Sequence, residues 1–290
     1  MSLPDRPLLG IAYANMGMLV YALHDSSIKS LSGSFPVLQA QFSRSLVILA
    51  VGLAVLLLFR RDLLRPRRPG LIVFRGFSGL VGFSLYFMCL DHLSLIDTYA
   101  LFLTGPLMIA LLSGIILKEK VQPRGWLALV IGFVGVLVLL RPGFAAFSPW
   151  SLAALGSASI YALSMVATRE MTRTDAPGTI VTWAALVGVG VLAPLQPVIW
   201  VMPDFWEMAL MIGLGVTALA AQFLTAQAYR HAPAGTVAPF DYTALLYIGL
   251  ISWLVFDEPP DLFTFIGAGL LVVSGMIILR EARRPKPAGT

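Results

Sequence analysis

Long apolar stretches alternate with short charged or proline-rich breaks along the whole chain. The stretch "LVILAVGLAVLLLF" at 46–59 has neither the period-two alternation of a barrel strand nor a polar face. A helix needs about 20 apolar residues to cross a bilayer. Ten candidates of that kind can be marked: 8–28, 35–59, 70–90, 96–117, 124–141, 150–169, 178–201, 207–228, 235–256 and 262–280. The breaks between them include "RRDLLRPRRPG", "KEKVQPR", "RPGFAAFSP", "REMTRTDAPG" and "FDEPPD". No break is long enough to hold a separate soluble domain, and residues 281–290 form a polar tail. The pattern predicts an all-α integral membrane protein with ten transmembrane helices.

Composition agrees with the pattern. Of 290 residues, 58% are hydrophobic and 12% charged, and the mean hydropathy is +0.85. Soluble domains carry about 25% charged residues. The formal charge of +5 resides almost entirely in the breaks, so it gives no reason to invoke nucleic acid. The single cysteine, Cys89, allows neither an intramolecular disulfide nor a thiolate metal site. The N-terminal apolar stretch lacks a small-residue cleavage site and is read as an uncleaved first span.

Placing the N-terminus in the cytoplasm puts sixteen of the twenty Lys and Arg on the cytoplasmic side. Only Lys29 and Arg141 fall outside, while Arg44 and Arg75 lie within spans. The bias predicts that both termini are cytoplasmic. Trp126, Trp150, Trp200, Trp206 and Trp253 stand at span ends, as interfacial tryptophans do.

A repeat underlies the ten stretches. Tyr21-Ala22-Leu23 recurs as Tyr161-Ala162-Leu163 at an offset of 140, and eight residues beyond each Tyr stands a base, Lys29 or Arg169. Glu119 recurs as Glu258, and Leu140-Arg141 as Leu279-Arg280, both at an offset of 139. These anchors predict a five-helix repeat at 8–141 and a second at 150–280. Because five is odd, the second copy would be inverted in the membrane, an arrangement known from secondary transporters that bind substrate near the midplane between the halves. Gly76, Gly79, Gly82, Gly213 and Gly215 would let helices pack closely or slide.

The segments "TGPLMIALLSGIILKEKVQPRGWLALVIGFVGVLVLLRPG" at 104–143 and "QAYRHAPAGTVAPFDYTALLYIGLISWLVFDEPPDLFTFIGAGLLVVSGMIILRE" at 227–281 resemble the drug/metabolite transporter superfamily, in particular bacterial ten-helix proteins with two EamA-type domains. "HDSSIK" and "FSRSL" fit the same pattern. The resemblance implies a secondary transporter in the bacterial inner membrane. Its substrate would be a small polar metabolite such as an amino acid or a related compound, moved by export or exchange. Uptake of a riboflavin-like vitamin or a nucleoside-type cofactor such as S-adenosylmethionine is the alternative. The halves differ where Thr104-Gly105-Pro106 is matched by Tyr242-Thr243-Ala244-Leu245, without a proline.

Ionisable groups inside spans are costly and mark candidate sites. Arg44 is too deep in its span to snorkel, and Asp25 on the adjacent span lies within about 6 Å of it in depth, from the helical rise. Either the two form a fixed ion pair or they contact substrate. Arg75 and Asp241 make a second candidate pair, with Arg75 read as snorkelling towards headgroups. Asp241 follows Pro239 and is read as a substrate ligand or proton carrier. Asp25 and Asp241 are thus the coupling candidates, with protons the candidate coupling ion. Tyr86, Tyr99, Tyr161, Trp183, Gln222 and Tyr242 complete the candidate cavity lining, and His24 stays undecided. Glu119 and Glu258, at span ends, are read as structural carboxylates favouring a following helix N-terminus.

The sequence has no Gly-x-x-x-x-Gly-Lys-Ser/Thr, so ATP hydrolysis is not expected. The three histidines, at 24, 92 and 231, show no His-Glu-x-x-His spacing, and an integral-membrane enzyme, a metal site or a cofactor is not expected. One chain carries both halves, so a monomer would suffice.

Overall fold

The computed structural model describes residues 6–29, 36–59, 65–90, 92, 101–119, 121–140, 149–256 and 262–282. Among the described residues ten helices of twelve or more residues carry the fold: α1 (Pro7–Lys29), α2 (Val37–Phe59), α3 (Pro69–Leu90), α4 (Gly105–Ile116), α5 (Pro123–Leu140), α6 (Pro149–Met171), α7 (Pro177–Leu192), α8 (Phe205–His231), α9 (Thr243–Phe256) and α10 (Leu262–Ala282). No strand occurs among the described residues. Five of these helices, α1, α3, α5, α6 and α7, begin on a proline. There the missing N–H costs nothing and the ring presets φ. α8 instead begins with a capping box, in which Asp204 accepts from the Glu207 N–H at 2.7 Å and Glu207 accepts from the Asp204 N–H at 2.8 Å.

Among the described residues six segments are long and apolar enough to cross a membrane: Leu38–Phe59, Pro69–Tyr86, Pro149–Met171, Pro177–Ile199, Phe205–His231 and Ala234–Ile251. Shorter apolar helices lie at Gly105–Ile116, Pro123–Val138 and Phe265–Arg280. The packing has the polarity expected of a protein solvated by lipid. Small residues such as Ala22, Ala128, Ala158, Ala162, Ala218 and Ala228 fill the interior, while Leu58, Phe59 and Phe205 point outwards. Close helix approach through small residues supplies dispersion contact where burial from water does not. Serines tie the helices further: Ser157 donates to the Gly82 carbonyl at 2.7 Å and Ser274 to the Ala128 carbonyl at 2.7 Å.

The helix pairing has a hidden regularity. The most extensive pairs are α5–α10, α1–α8, α3–α6 and α2–α7, followed by α2–α8, α4–α6, α1–α9 and α3–α7. Exchanging each helix with the one five places along maps this set onto itself: α1–α8 becomes α6–α3, α4–α6 becomes α9–α1, and α2–α8 becomes α7–α3. The sequence repeat is therefore also a repeat of contacts.

Two expected spans are interrupted. Residues 234–256 form a turn of helix, Ala234–Val237, then a 3-10 segment, Ala238–Tyr242, and only then α9. Pro239 lacks the N–H that would continue the α-helical ladder. The fourth span is likewise a shorter helix, α4, preceded by a turn at Leu103 and Thr104. The interruptions correspond: Thr104 donates to the Leu101 carbonyl at 2.7 Å, and Thr243, 139 residues on, donates to the Phe240 carbonyl at 2.6 Å.

Candidate functional site

Polar side chains collect where helices of the two halves meet. His24 on α1 is 2% exposed, and its Nδ1 lies 3.0 Å from the Thr217 hydroxyl on α8. Its Nε2 has no hydrogen-bond partner among the described residues. Arg44 on α2 lies beside it, within electrostatic range. The Arg44 guanidinium stacks on the Phe83 ring of α3, 5.2 Å from the centroid, and its Nε is buried without a partner among the described residues. The side chain of Asp25 lies outside the described residues, and so does the expected Asp25–Arg44 pair.

Arg75 departs from its expected place. It is 7% exposed and points into the bundle, so it does not snorkel. Its Nε donates to the Thr168 hydroxyl on α6 at 3.0 Å and its Nη2 to the Gln222 amide oxygen on α8 at 3.2 Å. Asp241 is not its partner. Among the described residues, Arg44, Tyr21 and Tyr161 lie within electrostatic range of Arg75. The small residues Ser78, Gly79 and Ser164 around it explain the inward course, since they leave room for a long side chain between α3 and α6.

Asp241 occupies the 3-10 segment before α9 and is 7% exposed. Neither of its carboxylate oxygens has a hydrogen-bond partner among the described residues. Tyr161, Tyr229 and Tyr242 lie within its electrostatic range. The hydroxyls of Tyr229 and Tyr242 are buried and likewise unpartnered among the described residues. Tyr161 is thus in electrostatic range of both Arg75 and Asp241. Its repeat equivalent, Tyr21, is in range of Arg75 and Tyr229.

An aromatic run borders this cluster. Tyr86 packs edge-on against Phe102, with centroids 5.0 Å apart, and Phe102 contacts Tyr161 at 5.2 Å. Phe102 is the residue 139 places before Asp241. The same break therefore carries an aromatic ring in the first half and an acid in the second.

Two expected lining residues pack into apolar clusters, Tyr242 while remaining in range of Asp241. Trp183 packs with Leu71 against Ile72, Met171 and Ile180, near the start of α7. The Tyr242 ring wedges towards α5, where a Cβ on Gly132 would stand 2.6 Å from it, within a cluster that includes Leu129 and Leu271. Arg75, Tyr229 and Tyr21 join the cluster without having been singled out as lining. The shared Tyr-Ala-Leu was the available signal for Tyr21. Nothing in the local sequence marks Tyr229. Tyr99 and Glu258 lie outside the described residues. A shallow groove between α4 and α5, lined by Leu111, Ile115, Lys118 and Trp126, faces outwards and contains none of the central groups.

Glu119 has the structural character expected of it but serves a different helix. Its Oε1 accepts from Arg169 Nε at 2.9 Å and from Arg173 Nη2 at 3.3 Å. Its Oε2 accepts from the Ala234 N–H at 3.1 Å, where the ninth span begins. Arg169 donates further to the Tyr229 carbonyl at 2.6 Å. Arg68–Glu170, Arg173–Glu170, the Arg67 N–H to Asp175 and the Arg6 N–H to the His231 carbonyl add to the same end of the bundle.

Comparison with known proteins places these features in context. Residues 8–141 and 148–280 each match the EamA-like transporter family. A riboflavin transporter of Vibrio cholerae is 30% identical over 287 residues, covering 94% of both chains. A pseudopaline exporter of Pseudomonas aeruginosa is 28% identical over 94% of this chain and 97% of its own. An S-adenosylmethionine uptake transporter of Rickettsia prowazekii is 23% identical over 96% of this chain and 94% of its own. A chain of known crystal structure shares the fold with a TM-score of 0.79 at 23% identity, covering 96% of this chain and 98% of that one.

Proposed function

The chain belongs to the EamA-like transporter family, of the drug/metabolite transporter superfamily, and from that premise we propose that it is a secondary-active transporter of a small polar metabolite working by alternating access. In this reading residues 8–141 and 150–280 are inverted five-helix repeats in the bacterial inner membrane, with both termini and the tail at 281–290 in the cytoplasm. The observation that carries the proposal is the string of buried or half-buried, partly unsatisfied polar groups between the halves, from His24 and Arg44 through Arg75 to Asp241. Such groups are expensive inside a membrane protein unless they serve a passage. The substrate is an amino acid or a related compound, moved by export or exchange.

The second reading is uptake of a vitamin or nucleoside-type cofactor. It is favoured by the riboflavin and S-adenosylmethionine transporters among the relatives and by the aromatic run Tyr86–Phe102–Tyr161, a surface on which a planar ring could stack. In either reading Arg44, Gln222, Tyr86 and Tyr161 face the pathway, and Asp25 and Asp241 are the carboxylates that would couple flux to protons. The network of Glu119, Arg169 and Arg173 closes the end assigned to the cytoplasm.

The test is uptake and counterflow in proteoliposomes against a panel of amino acids, riboflavin and S-adenosylmethionine, with and without a pH gradient. Accumulation of at least one compound above empty liposomes is expected. Absence of flux for every compound under every gradient would remove the transporter reading.

A further inference from the structure

Among the described residues, no carboxylate neutralises the central arginines. Arg75 gives two of its five N–H donors to Thr168 and Gln222, which are both uncharged. Such acceptors aim the guanidinium without cancelling its charge. Arg44 makes no hydrogen bond among the described residues and rests on the face of Phe83. Arg44 is within electrostatic range of Arg75, so two guanidiniums, from α2 and α3, converge on one region. Asp241 accepts a hydrogen bond from neither arginine.

Two like charges in a lipid-solvated bundle repel, and Arg75, 7% exposed, has lost most of its hydration. A purely structural buried arginine recovers that cost from a carboxylate partner. Here the described partners are a hydroxyl, an amide and a ring. The remaining N–H donors form a fork suited to a planar carboxylate or a phosphate, which accept two parallel bonds.

We propose that Arg44 and Arg75 form an anion subsite in the pathway, and that the transported molecule carries a carboxylate or phosphate group bound there. The inference rests on the transporter reading and deepens it. The Thr168 and Gln222 bonds fix one guanidinium, the Phe83 face fixes the other, and the anionic group lies between them. The run Phe102–Tyr161 is left to contact the organic body. Before substrate enters, repulsion between the two guanidiniums favours an open site, and binding of the anion removes that repulsion.

The test is thermal unfolding of the full chain in detergent, titrated with inorganic phosphate, with benzoate, and with benzamide as the neutral isostere of benzoate, all at constant ionic strength set with sodium chloride. Saturable stabilisation by phosphate and by benzoate is expected, with none by benzamide. Arg44→Gln and Arg75→Gln should each raise the half-saturating concentration at least tenfold, while Arg173→Gln leaves it unchanged. Should Arg75→Gln fail to fold, Arg44→Gln alone decides, because Arg44 has no hydrogen bond to lose among the described residues. No saturable effect of either anion, an equal effect of benzamide, or an anion effect that survives Arg44→Gln would overturn the subsite. So would an effect that appears only in Asp25→Asn, which would assign Arg44 to that carboxylate. Flux is measured separately: anion binding without flux counts against transport alone, and flux without anion binding counts against the subsite alone.

Discussion

Gly76 of α3 meets Val187 of α7 so closely that a Cβ on the glycine would stand 2.7 Å from the valine Cβ. Gly215 of α8 meets Val47 of α2 in the same way. The glycines are 139 residues apart and the valines 140, so one contact is the repeat image of the other. A glycine is needed at both because the facing atom is a Cβ at the root of a helix, which cannot rotate aside. At Gly76 the Ala184 carbonyl oxygen would also stand 2.9 Å from an added Cβ.

Gly76→Ala and Gly215→Ala should therefore each cost about 1–3 kcal/mol through overpacking. Gly213→Ala, with open space around it, should be neutral or mildly stabilising, since alanine favours a helix. Thermal unfolding in detergent reads all three. Equal midpoints for the Gly76 and Gly213 variants would show that α3 and α7 slide apart at no cost.

The Glu119–Arg169 pair predicts a second difference. Its side chains are only 13% and 10% exposed, and removing the Glu119 charge takes an ionic partner from Arg169 in a confined place. Glu119→Gln should destabilise by about 3 kcal/mol, near the low end for broken buried pairs. Glu170→Gln, whose partners Arg68 and Arg173 are more exposed, should cost less than about 1 kcal/mol. A smaller loss at Glu119 than at Glu170 would contradict this ordering.

Helix boundaries were readable because prolines and charge clusters mark them. Pro69, Pro123, Pro149 and Pro177 each start a helix within a residue of the expected span. The interruptions at Thr104 and at Pro239 were not readable as such, because the hydropathy stays high through both. The site was legible one residue at a time. An arginine, an acid or a primary amide inside a span stands out by its cost, which is how Arg44, Asp241 and Gln222 were found. Their partners depend on which helix faces which, and that is fixed by contacts between helices far apart in the chain, such as Arg75 with Gln222, 147 residues on. Arg75 illustrates the limit. Its depth suited snorkelling equally well, and only the approach of Thr168 and Gln222 turns it inwards.

The role of Thr168 in orienting Arg75 is open to an isosteric test. Its hydroxyl accepts from Arg75 Nε and donates to the Ser164 carbonyl at 2.8 Å. Thr168→Val preserves shape but leaves a buried guanidinium N–H without an acceptor, at a cost of about 1–3 kcal/mol. Thr168→Ser should retain most of the stability. Unfolding midpoints that fall equally in the two variants would assign the loss to packing.

Asp241 is where stability and function should separate. Both oxygens of its carboxylate are buried and unpartnered among the described residues, so folding gains no described hydrogen bond from them. Asn has nearly the same shape and lacks the charge. Asp241→Asn should leave the unfolding midpoint unchanged or raised, because an unpaired buried charge is costly. If the carboxylate couples flux or contacts substrate, the same change should reduce the initial rate more than tenfold for whichever panel compound the wild type moves. The two measurements on one variant discriminate between roles. A lowered midpoint with proportionate loss of flux would make Asp241 a packing residue of the broken ninth span. An unchanged midpoint with wild-type flux would transfer the coupling role to Asp25.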